Sequence, residues 1–237
     1  MARVEDYDKI ISYHEMVAIE KMPLQRGMVF SDGRRKYSIL LMSQRKDAVY
    51  NDEFDSNGHL IYEGHDVRAE QGIDPKTVDQ PLETPAGTWT ENGKFYKAAM
   101  NFKSGLRREA ELVKVYEKID VGVWSIKGFF QLIDVKRVSD GKRNVFKFHL
   151  RPVLRRVFNR VEEMPFNRLI PSGVKVKVWE RDRGRCVRCG ATENLHYDHD
   201  LPYAKGGTSL TEKNIRLLCA KCNLAKSDRI MVFVYYF

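Results

Sequence analysis

The 237-residue sequence predicts an α+β protein: a curved β-sheet or small β-barrel, followed by a small zinc-stapled ββα unit. Two observations carry the first half of that expectation. Apolar runs of strand length recur through the first 150 residues, and the connections between them are long and irregular, which suits a curved sheet better than a parallel α/β fold. One observation carries the second half. All four cysteines fall in two Cys-x-x-Cys pairs, Cys186/Cys189 and Cys219/Cys222, the ligand set of a tetrahedral structural zinc. With 43% hydrophobic and 31% charged residues the chain is globular, and its formal charge of +9 points to a polyanionic partner. It contains no run of eighteen apolar residues, and acidic residues stand within Met1–Glu20 where a secretory leader needs an apolar core. The expectation is a cytoplasmic protein with no membrane partner, its thiols committed to metal.

Taken in order, Asp6 to Lys21 reads as an amphipathic helix, with Tyr7, Ile10, Ile11, Met16, Val17 and Ile19 roughly periodic and Pro23 ending it. Gly27–Phe30, Tyr37–Met42, Gly58–Tyr62, Val113–Tyr116, Gly128–Val135 and Val145–Leu150 read as strands. Residues 65–95 are strand-poor and rich in Gly, Pro, Asp and Thr, and so long a loop inside a compact domain is usually functional. Arg151 to Ser172 reads as a basic linker, helical in part from Val153 to Glu163. Val174 to Arg183 reads as a helix leading into the zinc site, and Ile230–Phe237 as an apolar ending that packs on that helix or on the first domain. The domain division expected is 1–152, a linker at 153–172, and 173–237.

The 29 residues between the cysteine pairs exceed an ordinary zinc ribbon, so the metal staples the base of something larger. Leu195–Asp200 reads as a strand, Leu201 to Gly207 as a turn-rich loop, Ile215–Leu218 as a second strand, and Asn223–Asp228 as the start of a helix. Tyr197-Asp198-His199, Pro202, Gly206-Gly207, Lys213-Asn214, Leu218-Cys219 and Cys222-Asn223-x-x-Lys226 resemble the HNH endonuclease motif in its four-cysteine form. Cysteine pairs alone mark a structural zinc module; the ordered company of these residues adds a nuclease. Hydrolysis of a phosphodiester needs a base that works near neutral pH and a hard cation held by oxygen ligands. The resemblance therefore implies His199 as general base, and Asp198 and Asn223 as ligands of one catalytic Mg2+ or Mn2+. Asn214 joins His199 in the catalytic set as a brace of the loop that carries it. Lys226 and Arg216 are candidates for phosphate contact.

A second resemblance covers residues 25–152. Tyr37-Ser38-Ile39-Leu40-Leu41-Met42, then Tyr50-Asn51-Asp52-Glu53-Phe54-Asp55, and Tyr62 twelve residues after Tyr50 are similar to the SRA (SET- and RING-associated) domain, which has a PUA-like barrel. That family binds a modified cytosine flipped out of duplex DNA. It implies Tyr50 and Tyr62 as the stacking pair, with Glu53 and its neighbour Asp52 as readers of the base edge. Asn51 and Glu53 stand where the family has Glu and Asp.

Together the two resemblances imply a modification-dependent restriction endonuclease acting on double-stranded DNA that contains 5-methylcytosine or 5-hydroxymethylcytosine. One HNH site cuts one strand, so a homodimer is expected. Two other readings stay open: an HNH nuclease whose barrel binds unmodified nucleic acid, and a non-enzymatic reader of modified DNA. Comparing cleavage of modified and unmodified DNA separates the first from its rivals.

Overall fold

The computed structural model describes residues 7–68, 72–157, 160–163, 168–202 and 205–226. In chain order the elements are β1 (Ile10–Ser12), α1 (Tyr13–Glu20), β2 (Met28–Val29), β3 (Ser38–Met42), β4 (Glu53–Phe54), β5 (Leu60–Glu63), α2 (Glu91–Lys103), β6 (Glu111–Asp120), β7 (Val123–Ser139), β8 (Asn144–Val157), β9 (Arg160–Glu163), α3 (Ser172–Arg181), β10 (Leu195–His199), β11 (Ile215–Cys219) and α4 (Ala220–Lys226). The chain is thus a sheet-dominated α+β protein.

The large sheet runs β2-β3-β6-β7-β8-β5-β4, with β1 added to β7 and β9 to β8. Its long strands obey the two-residue period of a half-buried sheet: Phe146, Phe148 and Leu150 of β8 are buried, as are Phe130 and Leu132 of β7. The register of β7 on β8 shifts between Leu132 and Asp134, a bulge that bends the pair. β10 and β11 form a separate antiparallel pair, Asp198 facing Arg216 and His199 facing Ile215.

Two compact units divide the chain. One holds residues 23–116 and 128–163, and the other holds 1–22, 117–127 and 164–237. The expected linear partition is therefore interleaved, because the first 22 residues and the β6–β7 turn fold with the zinc segment. The apolar core of that unit joins Ile10, Ile170, Val174 and Val178 to Leu195, Tyr197, Ile215, Leu217 and Leu218.

A buried charge cluster ties the same unit together. Lys175 Nζ meets Asp8 (2.6 Å), Glu117 (3.3 Å) and Ser125 Oγ (2.9 Å), while Lys127 Nζ meets Glu117 (3.0 Å) and the Ile170 carbonyl (2.9 Å). Burial pushes the Glu117 carboxyl up, but Lys127 and Lys175 outweigh it and hold it down at about 2.

Three local expectations are corrected. The helix expected over 6–21 starts only at Tyr13, because Ser12 and Glu15 close a capping box there (Ser12 N to Glu15 Oε2 2.7 Å, Glu15 N to Ser12 Oγ 3.2 Å). Ile10 and Ile11 instead pair with Ser125 and Trp124 of β7. The linker expected to be helical from Val153 to Glu163 is strand. β8 continues to Val157 and pairs with β9, so ladder bonds take up its backbone groups. Third, the sequence reading places no helix between the loop at 65–95 and the strand at Val113, yet α2 spans Glu91–Lys103, with Thr90 Oγ1 accepting from the Gly93 amide (3.1 Å). The apolar ending Ile230–Phe237 lies outside the described residues.

Candidate functional site

The four cysteine sulfurs lie within 4.8 Å of one another. A tetrahedral ion with bonds near 2.3 Å needs sulfurs ~3.8 Å apart, so the cluster fits one zinc. Backbone bonds position it. Cys186 N donates to Ala191 O and Gly190 N to Cys186 O, both at 2.8 Å, curling the first pair into a knuckle. Ala220 N donates to Asn194 O (2.9 Å), which fixes the second pair, Cys219 on β11 and Cys222 on α4, against the start of β10.

Asp198 and His199 close β10. Asn223 and Lys226 lie three residues apart on one face of α4. Lys226 is buried, and its ammonium bonds both the Asp198 carboxylate and the His199 carbonyl. The Asp198 carboxylate oxygens and the Asn223 amide oxygen are donors of the kind a hard divalent ion takes. Arg216 is buried as well, paired with Asp200 (2.9 Å) and bonded to the Ile215 carbonyl (3.0 Å). Neither cation is presented to a phosphate, since both are spent on internal partners.

The loop between the two strands is clamped by Asn214. Its Oδ1 accepts from Leu201 N (2.8 Å), and its Nδ2 donates to Leu201 O (3.1 Å) and Thr208 O (2.9 Å). Gly207 is demanded by this clamp: a Cβ there would lie 1.8 Å from Leu201 O and 3.0 Å from Asn214 Nδ2. Gly206 beside it holds φ at +87°. The clamp carries Ser209, whose Oγ lies 2.8 Å from His199 Nε2. Burial lowers the His199 pKa from its ordinary value, so the imidazole stays neutral through the physiological range.

The sequence-predicted base pocket lies in the other unit. Tyr50 is half-buried and stacks on His65, with ring centroids 4.6 Å apart and planes within 8°. Lys76 covers its other face, Nζ 4.4 Å from the ring centroid. Tyr62 is buried, 1% exposed, and its hydroxyl reaches His65 Nε2 (2.8 Å), Gly27 O (3.2 Å) and Leu41 O (3.3 Å). Its ring centroid lies 6.0 Å from that of the imidazole with planes 30° apart, and the aromatic face laid on Tyr50 belongs to His65. Gly27 makes room for that ring; a Cβ there would lie 2.6 Å from His65 Cε1.

Glu53 is exposed on β4, and Asp52 is the carboxylate turned inward. Asp52 accepts from Ser43 N and Glu63 N, each at 3.1 Å, and burial pushes its pKa up to about 7 against those bonds. Arg143 pins the following loop through Asp66 (2.6 Å) and the carbonyls of Pro75 (2.5 Å) and Val78 (3.2 Å). His65, Lys76, Arg143 and Ser209 carry no motif signature, and the sequence reading passes over them.

Comparison with known proteins fits one of the two units. Residues 186–229 match the HNH endonuclease family. No curated protein matches the chain. Among solved structures, SUVH5 SRA in complex with fully methylated CG DNA is 20% identical over 70% of this chain and 98% of its own, with a TM-score of 0.41. SUVH5 SRA bound to fully hydroxymethylated CG DNA is 20% identical over the same shares, with a TM-score of 0.43. The Type IV phosphorothioation-dependent restriction endonuclease ScoMcrA is 14% identical over 81% of this chain and 49% of its own, with a TM-score of 0.32. The stretch that matches the HNH endonuclease family thus holds the strand pair β10–β11, the helix α4 and the four-sulfur cluster.

Proposed function

We propose that this protein is a metal-dependent endonuclease that reads a modified cytosine in double-stranded DNA and cuts the duplex nearby. The observation that carries the cutting half is the placing of Asp198 and His199 at the end of β10 and of Asn223 on α4, the helix that holds Cys222 of the four-cysteine cluster, within the stretch that matches the HNH endonuclease family. Asp198 and Asn223 hold a Mg2+ or Mn2+ ion, and the zinc held by the cysteines is structural. Bound there, the divalent cation supplies positive charge opposite the scissile phosphate. His199, neutral and one residue from Asp198, accepts the proton of the attacking water. Asn214 keeps the His199 loop in register through its bonds to Leu201 and Thr208.

The reading half rests on Tyr50, a half-buried ring stacked on His65 with the Lys76 ammonium 4.4 Å from its centroid. A flipped base that displaces that ammonium stacks on Tyr50, a contact worth on the order of 1–3 kcal/mol. Asp52, Glu53 and Tyr62 complete the pocket in this reading, with Tyr62 as a wall that holds His65 rather than as a second stacking face. Two copies acting in the cytoplasm, one per strand, make a double-strand break.

The test is incubation of the purified chain and Mg2+ or Mn2+ with matched plasmids bearing cytosine, 5-methylcytosine or 5-hydroxymethylcytosine. Cleavage of modified plasmids alone is expected, and His199→Ala is expected to lower the rate by at least about a hundredfold while DNA binding persists. Equal cutting of all three plasmids removes the reader. Undiminished cutting by the His199 variant removes the assigned base.

A further inference from the structure

We infer that Ser209 selects which nitrogen of His199 is the base: its hydroxyl fixes the proton on Nε2 and leaves the lone pair on Nδ1. The inference rests on the reading of His199 as general base and adds to it a positioning residue and a named atom. Ser209 is wholly buried, and its Oγ has two partners. One is the Arg168 carbonyl at 3.0 Å, and the other is His199 Nε2 at 2.8 Å. A hydroxyl owns a single proton, and a carbonyl oxygen has none to give. The Ser209 proton therefore goes to Arg168 O, and Oγ is left able only to accept. His199 Nε2 must then be the donor. A neutral imidazole carries one N–H, so the remaining lone pair sits on Nδ1. No partner of Nδ1 occurs among the described residues.

Both ends of this relay are held. Arg168 precedes Leu169 and Ile170, which are buried, and the Ile170 carbonyl is tied to Lys127 Nζ at 2.9 Å. On the other side Thr208, next to Ser209, is tied by its carbonyl to Asn214 at 2.9 Å. The hydroxyl is thus fixed against the ring from two separate stretches of chain. In the opposite arrangement, with Ser209 donating to Nε2, the Arg168 carbonyl and the Ser209 hydroxyl oxygen would face each other at 3.0 Å with no proton between them, which leaves an acceptor unmet and is disfavoured.

The experiment uses the full chain, zinc-loaded, at neutral pH without added Mg2+. Two-bond proton–nitrogen correlation spectra of the 15N-labelled protein report the His199 tautomer, and the Nε2–H form is expected. A dominant Nδ1–H form in the wild-type protein overturns the inference, whatever any variant does. Ser209→Ala is expected to mix the tautomers and lower kcat on cleavable DNA by about 10- to 100-fold with KM little changed. Ser209→Thr, which keeps the hydroxyl, is expected to recover most of the rate. A fully active Ser209→Ala enzyme, or a threonine variant as slow as the alanine one, also overturns it. His199→Ala is run alongside: if that variant cuts normally, the assignment of the base has failed, whereas a dead His199 variant beside an unaffected Ser209→Ala sinks the serine alone.

Discussion

At the scale of single residues, two titratable groups in the unit of the large sheet, buried Asp52 and half-buried His65, pull against each other. Asp52 has its pKa pushed up by burial from 3.8 to about 7, so its contribution to stability is full in acid and is lost as pH rises from about 4 through 7. Burial lowers His65 from 6.5 to about 4, so its contribution is present above about 6.5 and is lost as pH falls toward 4. Over the shared window the two slopes have opposite sign and largely offset. Replacing His65 with Gln leaves Asp52 alone. Urea midpoints of His65→Gln are expected to fall steadily between pH 4 and 7, with a slope of at most about 1.4 kcal/mol per pH unit, while the wild-type profile stays flatter. A variant as flat as the wild type would show that Asp52 does not carry the proton.

At the scale of elements, the unit that holds the cysteine cluster has little besides a metal to staple its small elements together. α4 has only seven residues, below the length at which a helix holds itself in water, and β10–β11 is a lone two-stranded pair. Neither element is stable alone. The sulfur cluster joins β11, α4 and the knuckle at Cys186 into one body, and structural zinc in comparable small domains contributes on the order of 10 kcal/mol. Elemental analysis is expected to find one zinc per chain. Cys222→Ser or a strong chelator is expected to remove it and to abolish cleavage, with loss of amide protection from Leu195 to Cys219. Retention of that protection in a zinc-free protein would refute the dependence.

At the scale of the whole molecule, the unit that holds the cysteine cluster is assembled from three separate stretches of chain. Asp8, Glu117, Lys127 and Lys175 meet in one buried charge cluster, and Ile10 packs in the same core as Leu195 and Ile215. Removing one member of such a cluster leaves a buried charge uncompensated, at a cost of about 3–5 kcal/mol. A fragment beginning at residue 164 lacks Asp8, Ile10, Glu117 and Lys127 together. It is expected to bind zinc weakly and to show no cooperative thermal transition, whereas the full chain melts cooperatively. A fragment that folds and cuts as well as the full chain would show that the N-terminal segment is dispensable.

What the sequence determined by itself is what spacing encodes. Two residues between cysteines define a metal corner, the order Asp198-His199, Asn214, Asn223 falls in the stretch that matches the HNH endonuclease family, and runs such as Ser38–Met42 and Val145–Leu150 lie in strands because their apolar residues form a buried surface. What only the tertiary structure decided concerns partners distant in sequence. Lys226 and Arg216 read as free cations but are bound to Asp198 and Asp200, since burying an ammonium or guanidinium demands a carboxylate that the local sequence does not name. Residues 153–163 read as partly helical, and the antiparallel pairing of β8 with β9, Val153 facing Glu163 and Val157 facing Arg160, makes 153–157 and 160–163 strand instead. Tyr50 and Tyr62 are twelve residues apart, yet the ring that stacks on Tyr50 is His65, because Tyr62 is drawn into the core by its own apolar surface and hydroxyl bonds. Ser209 became visible only when the Arg168 carbonyl, 41 residues earlier in the chain, was found beside it. Covalent spacing fixes what a short stretch of chain does, and folding alone fixes which distant group takes each buried proton and charge.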